Sequence, residues 1–178
     1  MKPTISVATT SDAGALVALR AHVARNMAQQ YGEGEWSAFP SDADVLQQVR
    51  ALRVLVARRD GEIIGTVRMA LAKPWAIDAS MFTPVATALY VLGLAVSPDA
   101  RGRGVGRSLM EAAKEFASAE PADALWLDAY EHRAGAGPFY LKCGFRQVGR
   151  TSYREMPLMF YEWLSQHGAG PGNRENSK

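Results

Sequence analysis

The sequence predicts a mixed α/β (α+β) fold, a sheet flanked by helices, and three observations carry that expectation. Strand-like and helix-like segments follow one another along nearly the whole chain. One run, residues 89–96, is almost continuously apolar, as a strand buried on both faces requires. Directly after it come three glycines at alternate positions and then a helical pattern, the mark of a tight strand-to-helix turn.

Residues 4–8 alternate polar and apolar side chains and predict a short strand with Ile5 and Val7 facing inward. Ser11 and Asp12 supply N-cap chemistry for a helix through about residue 30, in which Leu16, Leu19, Val23 and Met27 recur at helical spacing. Gly32 and Gly34 end it, and Tyr31, Trp36 and Phe39 fall in an irregular stretch before Pro40. Ser41 opens a second helical pattern through Val45, Leu46, Val49 and Leu52. Residues 54–57 and 63–71 read as strands joined by an Asp60-Gly61 hairpin turn. Residues 73–87, with Pro74, Trp75, Phe82 and Pro84, read as a long loop of the kind that carries function. Beyond the apolar strand, Leu109, Met110, Ala113 and Phe116 mark a helix to about residue 119. A strand at 125–130, a short helix at 134–142 closed by Gly144, and strands at 145–151 and 158–164 complete the pattern.

At 178 residues, 48% hydrophobic and 21% charged, the chain is sized for one domain with a real core. The expectation is a single domain over residues 1–165 and a flexible tail over 166–178, rich in Gly, Pro, Asn and Ser. The lone Cys143 excludes an internal disulfide and a Cys-based zinc pattern, so no metal is expected, and it reads as a buried small side chain near a helix end. A net charge of +2, from 20 basic and 18 acidic residues spread along the chain, gives no nucleic-acid footprint. No apolar stretch approaches the roughly 20 residues of a membrane span, and no signal peptide opens the chain, so a cytoplasmic location is expected.

The informative segment is the turn after the apolar strand. Arg101, Gly102, Arg103, Gly104, Val105, Gly106 and Arg107 lead straight into a helix with no Ser, Thr, Asp or Asn before Val105 to cap it. About four N–H groups at a helix start lack an internal partner, and the helix dipole adds positive charge there. Glycines let the backbone approach an anion closely, so this is a phosphate-binding turn. A P-loop is excluded by the glycine spacing and by Arg107 before Ser108. A dinucleotide fingerprint is excluded because position 107 is not glycine.

The order Val96, Pro98, Arg101, Gly102, Gly104, Gly106 resembles the coenzyme A pyrophosphate loop of the GNAT (GCN5-related N-acetyltransferase) superfamily. A second segment, Ala136, Phe139, Tyr140, Gly144 and Phe145, resembles the family's later helix-to-strand motif, and the element order agrees over nearly the full chain. The resemblance implies a mostly antiparallel central sheet with a splayed central strand pair. It implies acetyl-coenzyme A as co-substrate and direct transfer of acetyl to a primary amine, on a small molecule or a peptide, within a ternary complex.

Carried over residue by residue, the backbone of Leu94, Ala95 and Val96 would hold the pantetheine arm, with the Leu94 N–H on the thioester carbonyl. The amides of Arg101, Gly102, Arg103, Gly104, Val105, Gly106 and Arg107 would hold the pyrophosphate. Tyr140 resembles the tyrosine that protonates the departing thiolate. Ala136 lies in the same coenzyme-facing segment, and Arg133 stands where the family commonly has Asn. Several family members carry a glutamate base on the central strand, where this chain has Tyr90. The base is therefore open between Tyr90, Glu131 and the nearby Asp128 and His132. Tyr31, Trp36, Phe39, Trp75 and Phe82 are candidates for the acceptor pocket or, equally, for rim packing. The missing glutamate leaves a second reading, a non-catalytic acyl-coenzyme A sensor or interaction module. No nucleic acid or membrane partner is expected, and the chain would act as a monomer or homodimer.

Overall fold

The computed structural model describes residues 2–166 apart from 39, 75 and 76, so the expected tail lies almost wholly outside the described residues. The strands are β1 (Thr4–Val7), β2 (Arg53–Arg59), β3 (Glu62–Ala70), β4 (Ala88–Val96), β5 (Ala124–Tyr130), β6 (Arg146–Tyr153) and β7 (Met156–Leu164). The helices are α1 (Ala13–Tyr31), α2 (Asp42–Ala51), α3 (Val105–Ala119) and α4 (Gly137–Lys142). One seven-stranded sheet runs in the order β1-β2-β3-β4-β5-β7-β6. Every neighbouring pair is antiparallel except β4 and β5.

Local chemistry accounts for most boundaries. Asp60 and Gly61 take φ of 52° and 84°, the left-handed pair that a two-residue hairpin turn demands, and they join β2 to β3. Ser41 accepts the Asp44 N–H at 3.1 Å while Asp44 reaches back to the Ser41 N–H, a reciprocal cap on α2. Asp12 departs from its expected N-cap role. Its carboxylate reaches back to the Thr9 N–H at 2.8 Å and takes Arg58 Nη2 at 2.7 Å, so Thr9 opens the helical segment. Val7 is 58% exposed rather than inward, because β1 is the sheet edge and its end is left open among the described residues. The turn from β6 to β7 uses Arg154 and Glu155 at φ of 47° and 67°. Neither is glycine or asparagine, so residue type carries no turn signal here and both strands run two residues further into it than expected.

Alternation along the strands divides the core between two faces. On one, α3 buries Val105, Leu109, Met110 and Ala113 against Leu55, Val67, Leu89, Val91, Leu125 and Leu127, with Tyr140 from α4 and Cys143 just after it in the same cluster. On the other face, α1 and α2 set Leu16 and Val45 on Val54 and Val56. Further along that face the segment before β4 sets Ile77 and Phe82 on Tyr90, Trp126 and Phe160. That segment is tied down by Glu162, whose side chain is fully buried. Glu162 accepts the Thr83 N–H at 2.9 Å, the Thr83 hydroxyl at 2.7 Å and Arg146 Nε at 2.7 Å.

The sheet has one interruption. β4 and β5 pair only at Ala88 with Ala124, Leu89 with Leu125 and Tyr90 with Trp126, although both strands continue beyond those positions. On its other side β4 pairs Arg68 with Gly93 and Met69 with Val91, which leaves Leu92 as an extra residue. A bulge bends the strand that carries it. Here it turns β4 away from β5 and opens a wedge between residues 91–96 and 127–130.

Candidate active site

The wedge opens toward the start of α3. Pro98–Ala100 forms a single 3-10 turn, and Gly102 and Gly104 then take left-handed φ of 71° and 80°. A Cβ built at either glycine meets nothing within 4 Å, so open space lies over this turn. The first helical bond of α3 runs from the Ser108 N–H to the Gly104 carbonyl at 2.9 Å. The N–H groups of Val105, Gly106 and Arg107 thus have no helical acceptor, and no side chain caps the helix. Arg103 and Arg107 are exposed. Arg101 is turned back onto α1, where Nη1 donates to Asn26 Oδ1 at 2.8 Å. What remains at the turn is backbone N–H groups and, with no ion-pair partner among the described residues, Arg103 and Arg107, the donor set that suits a phosphate group.

Gly106 closes the gap between elements. A Cβ there would lie 3.2 Å from the Phe139 ring and 3.6 Å from Val96, so α3, α4 and the end of β4 converge on it. Leu94, Ala95 and Val96 are half-buried on the stretch of β4 that pairs with β3 but has parted from β5. Ala136 is half-buried at the start of α4, where its carbonyl accepts the N–H groups of Phe139 and Tyr140 at 3.0 and 3.1 Å. Arg133 is exposed in the preceding turn.

Tyr140 is 5% exposed and touches the rings of Phe139, Phe145 and Tyr161. Burial, reinforced by the nearby Asp128 charge, pushes its phenol well above the ordinary value. Asp128 stands on the part of β5 that pairs with β7 but has parted from β4, on the same sheet face as Trp126 and opposite to Leu127. Burial raises its carboxyl above the ordinary carboxylate range, and a hydrogen bond from its own backbone offsets this in part. The wedge therefore has a phenol on its α4 side and a half-buried carboxylate on its α1 side, close enough to feel each other's charge.

The other base candidates are placed less well. Tyr90 is 7% exposed at the closed end of the wedge, edge-on to Trp126, and burial raises its phenol too, which leaves still less of the phenolate that a base would need. Glu131 is exposed and paired with Arg150 at 2.8 Å. His132 is exposed and lies flat on Trp36, ring centroids 4.6 Å apart at 12°. In sequence Asp128 stands beside Glu131 and His132, at or just after the end of a strand, with nothing to choose it over them. Its place in the wedge depends on where β4 and β5 part, and the bulge at Leu92 that sets this point has no signature in residue type.

The aromatic candidates separate into two groups. Trp36 meets Tyr130 edge-on at 6.1 Å, and Tyr31 meets His132 edge-on at 6.4 Å, so the two form a cluster at the outer end of β5. Glu35 beside them pairs with Arg154 at 2.8 Å. Tyr130 lies against this group, and burial together with Glu35 and Asp128 pushes its phenol up to about 12. Phe82 is instead 4% exposed and stacked on Trp126 at 4.4 Å, as a core side chain. Phe39 and Trp75 lie outside the described residues. Among the described residues no group of three or more His, Cys, Asp or Glu side chains could hold a metal, and no helix is long and apolar enough to cross a membrane.

Comparison with known proteins settles the family. The family model described as "Acetyltransferase (GNAT) family" matches residues 21–145. The chain belongs to the acetyltransferase (GNAT) family. It is accordingly an acyltransferase. A relative, aminoglycoside N(6')-acetyltransferase type 1 of Stenotrophomonas maltophilia, is 28% identical over 160 residues, covering 88% of this chain and 94% of that protein. In fold the chain is similar to yncA of Salmonella typhimurium, solved with its cofactor acetyl-CoA, at a TM-score of 0.71 and 17% identity over 96% of this chain and 98% of that one. It is also similar to the ribosomal-protein-alanine N-acetyltransferase of Brucella melitensis, with a TM-score of 0.68 and 21% identity over 91% and 99% of the two chains. The GNAT element order thus holds with the wedge, the uncapped α3 and the tyrosine of α4 in one place.

Proposed function

We propose that this GNAT protein transfers an acetyl group from acetyl-coenzyme A to a primary amine by direct attack in a ternary complex, with Asp128 as base and Tyr140 as acid. The observation that carries the reading is the pairing of a half-buried carboxylate and a buried phenol across an opened strand pair, beside an uncapped helix start. The residues fit the coenzyme. The amides of residues 102–107, with Arg103 and Arg107, are suited to the pyrophosphate, and the backbone of Leu94, Ala95 and Val96 on the side that has left β5 is suited to the pantetheine amides. Acetyl-coenzyme A, when bound, supplies the thioester that the amine attacks.

The steps assigned to this chain are then few. Asp128 accepts a proton from the ammonium form of the acceptor, which frees the nitrogen lone pair. The Leu94 N–H donates to the carbonyl oxygen as negative charge builds on it. Tyr140 donates its phenolic proton to the departing sulfur. With Tyr90 in the central-strand position a sensor without a base was the rival reading, and Asp128 removes its main support by supplying a carboxylate from the next strand.

For the acceptor, the cluster of Tyr31, Trp36, Tyr130 and His132 with Glu35 at its edge suits a cationic amine carried on a flat or ring-shaped body. An amino sugar meets that description, in keeping with the name of the Stenotrophomonas maltophilia relative. Coenzyme A release measured across amino sugars, polyamines and peptides with free α-amines tests both parts. Turnover is expected on the ring-bearing amines, falling about 10²- to 10⁴-fold in Asp128→Asn. Undiminished turnover in that variant would reject the base, and release with α-amino peptides alone would reject the acceptor class.

A further inference from the structure

Away from the wedge, between α1, α2 and the sheet, lies a small cleft lined by Leu16, Arg20, Val45, Gln48, Thr66 and Arg68 among others. Its walls are mainly apolar, and its charged members are both arginines. Arg20 Nη1 and Arg68 Nη1 donate to the same acceptor, Gln48 Oε1, at 2.8 and 2.7 Å. Two guanidinium nitrogens held on one neutral oxygen stand no more than about 5.5 Å apart, well within the range where like charges repel. Among the described residues neither arginine has a carboxylate in salt-bridge contact, and the nearest acid of consequence, Asp44, lies exposed on the first turn of α2.

Arg68 cannot relieve the repulsion by swinging away. Its Nη2 donates to the Leu92 carbonyl at 3.3 Å and sits where a side chain on residue 93 would be, which only glycine allows. Thr66 gives the cleft no negative charge, and its hydroxyl is already committed to the Leu55 carbonyl at 2.9 Å. The burial of Arg68 and the charge of Arg20 together bring its guanidinium down to about 10, the direction expected of a cation without a counterion. Asp or Glu in place of Gln48 would have completed an ordinary internal ion pair. A neutral amide leaves the counter-charge to come from outside.

We infer that Arg20, Gln48 and Arg68 form a binding site for a small monovalent anion of the halide or formate class, which bridges the two guanidiniums and fixes Arg68 against the β4 bulge. The anion is limited in size by the cleft, and monovalent because Asp44 already offsets part of the charge on Arg20. Binding there stabilises α2 on the sheet, and through the Leu92 carbonyl it steadies the strand bend that opens the wedge. The site is independent of the acyl-transfer reading, since neither the helix start of α3 nor Asp128 takes part in it.

The test is thermal unfolding of the full chain in sodium chloride, sodium formate or sodium gluconate, mixed to constant ionic strength. Saturable stabilisation by chloride or formate over gluconate is expected. The comparison of chloride with formate tells whether the site takes spherical or planar anions. Arg68→Met should abolish the saturable part. Arg20→Gln, at a less buried position and so safer for folding, should raise the half-saturating anion concentration about ten-fold or more, as loss of one charge-assisted bond implies. A bromide-soaked crystal should give an anomalous peak between the two guanidiniums. A response equal in wild type, Arg20→Gln and chloride-free gluconate, or a bromide map with no peak there, would overturn the proposal.

Discussion

Asp128 carries a charge that its surroundings do not reward. Because burial raises its carboxyl, the ionised form needed of a base is present only above that raised value, and the protonated form below it cannot accept a proton. Under the proposed mechanism kcat/KM therefore falls on the acid side through an apparent pKa above the usual carboxylate range. Asp128→Asn should remove that limb along with most of the rate. Tyr140 works in the opposite direction, since burial keeps its proton on well past the ordinary phenol value. No loss of the acid form is expected up to about pH 10, and Tyr140→Phe should cost about 10²-fold or more in kcat while leaving coenzyme binding nearly unchanged. A pH–rate profile of the two variants beside wild type checks both. At Glu162 the expected effect is on stability alone. Glu162→Ala removes the acceptor of the Thr83 N–H, the Thr83 hydroxyl and Arg146 Nε, and with Arg146 itself open to solvent the loss is about 2 kcal/mol, which should lower Tm by roughly 4–8 °C.

The elements differ in how plainly residue type announces them. Helix α3 was legible from its apolar spacing, and the hairpin between β2 and β3 from Asp60-Gly61, because each is fixed by local backbone preference. The hairpin between β6 and β7 was not, since Arg154 and Glu155 are held left-handed by their surroundings, including the bond from Arg154 to Glu35 at 2.8 Å. The turn into α3 was legible for the same reason as the first hairpin: only glycine takes φ of 71° and 80° without strain. Gly104→Ala meets no neighbour but must adopt that φ, so it should destabilise by about 1 kcal/mol. It should also weaken acetyl-coenzyme A binding, which isothermal titration calorimetry would read, because the amides of the turn no longer converge on one point.

Across the whole molecule, what the chain states openly is the proposed coenzyme side and what it conceals is the proposed acceptor side. The first rests on glycines, a helix start and a tyrosine within two short segments of sequence. The second is assembled from residues far apart, Trp36 with Tyr130 and His132, and no spacing rule connects them. Phe82 illustrates the difficulty: an aromatic residue in a loop can wall a pocket or fill a core, and only the stacking on Trp126 distinguishes the two. Buried charge is concealed likewise, for Arg68 reads as an ordinary polar residue in a strand until α1 and α2 are laid over it.

The seam between β4 and β5 has a thermodynamic consequence. With three residue pairs spanning it, strands β1 to β4 and strands β5 to β7 are two half-sheets whose facing peptide groups beyond Tyr90 and Trp126 do not bond to one another across the seam. A guest chain carrying its own amides would act there as an eighth strand, finishing a lattice the polypeptide leaves incomplete. Because such a guest adheres to the folded form and not to the unfolded one, saturation at a hundred times its dissociation constant adds about 2.7 kcal/mol to the protein's resistance to unfolding.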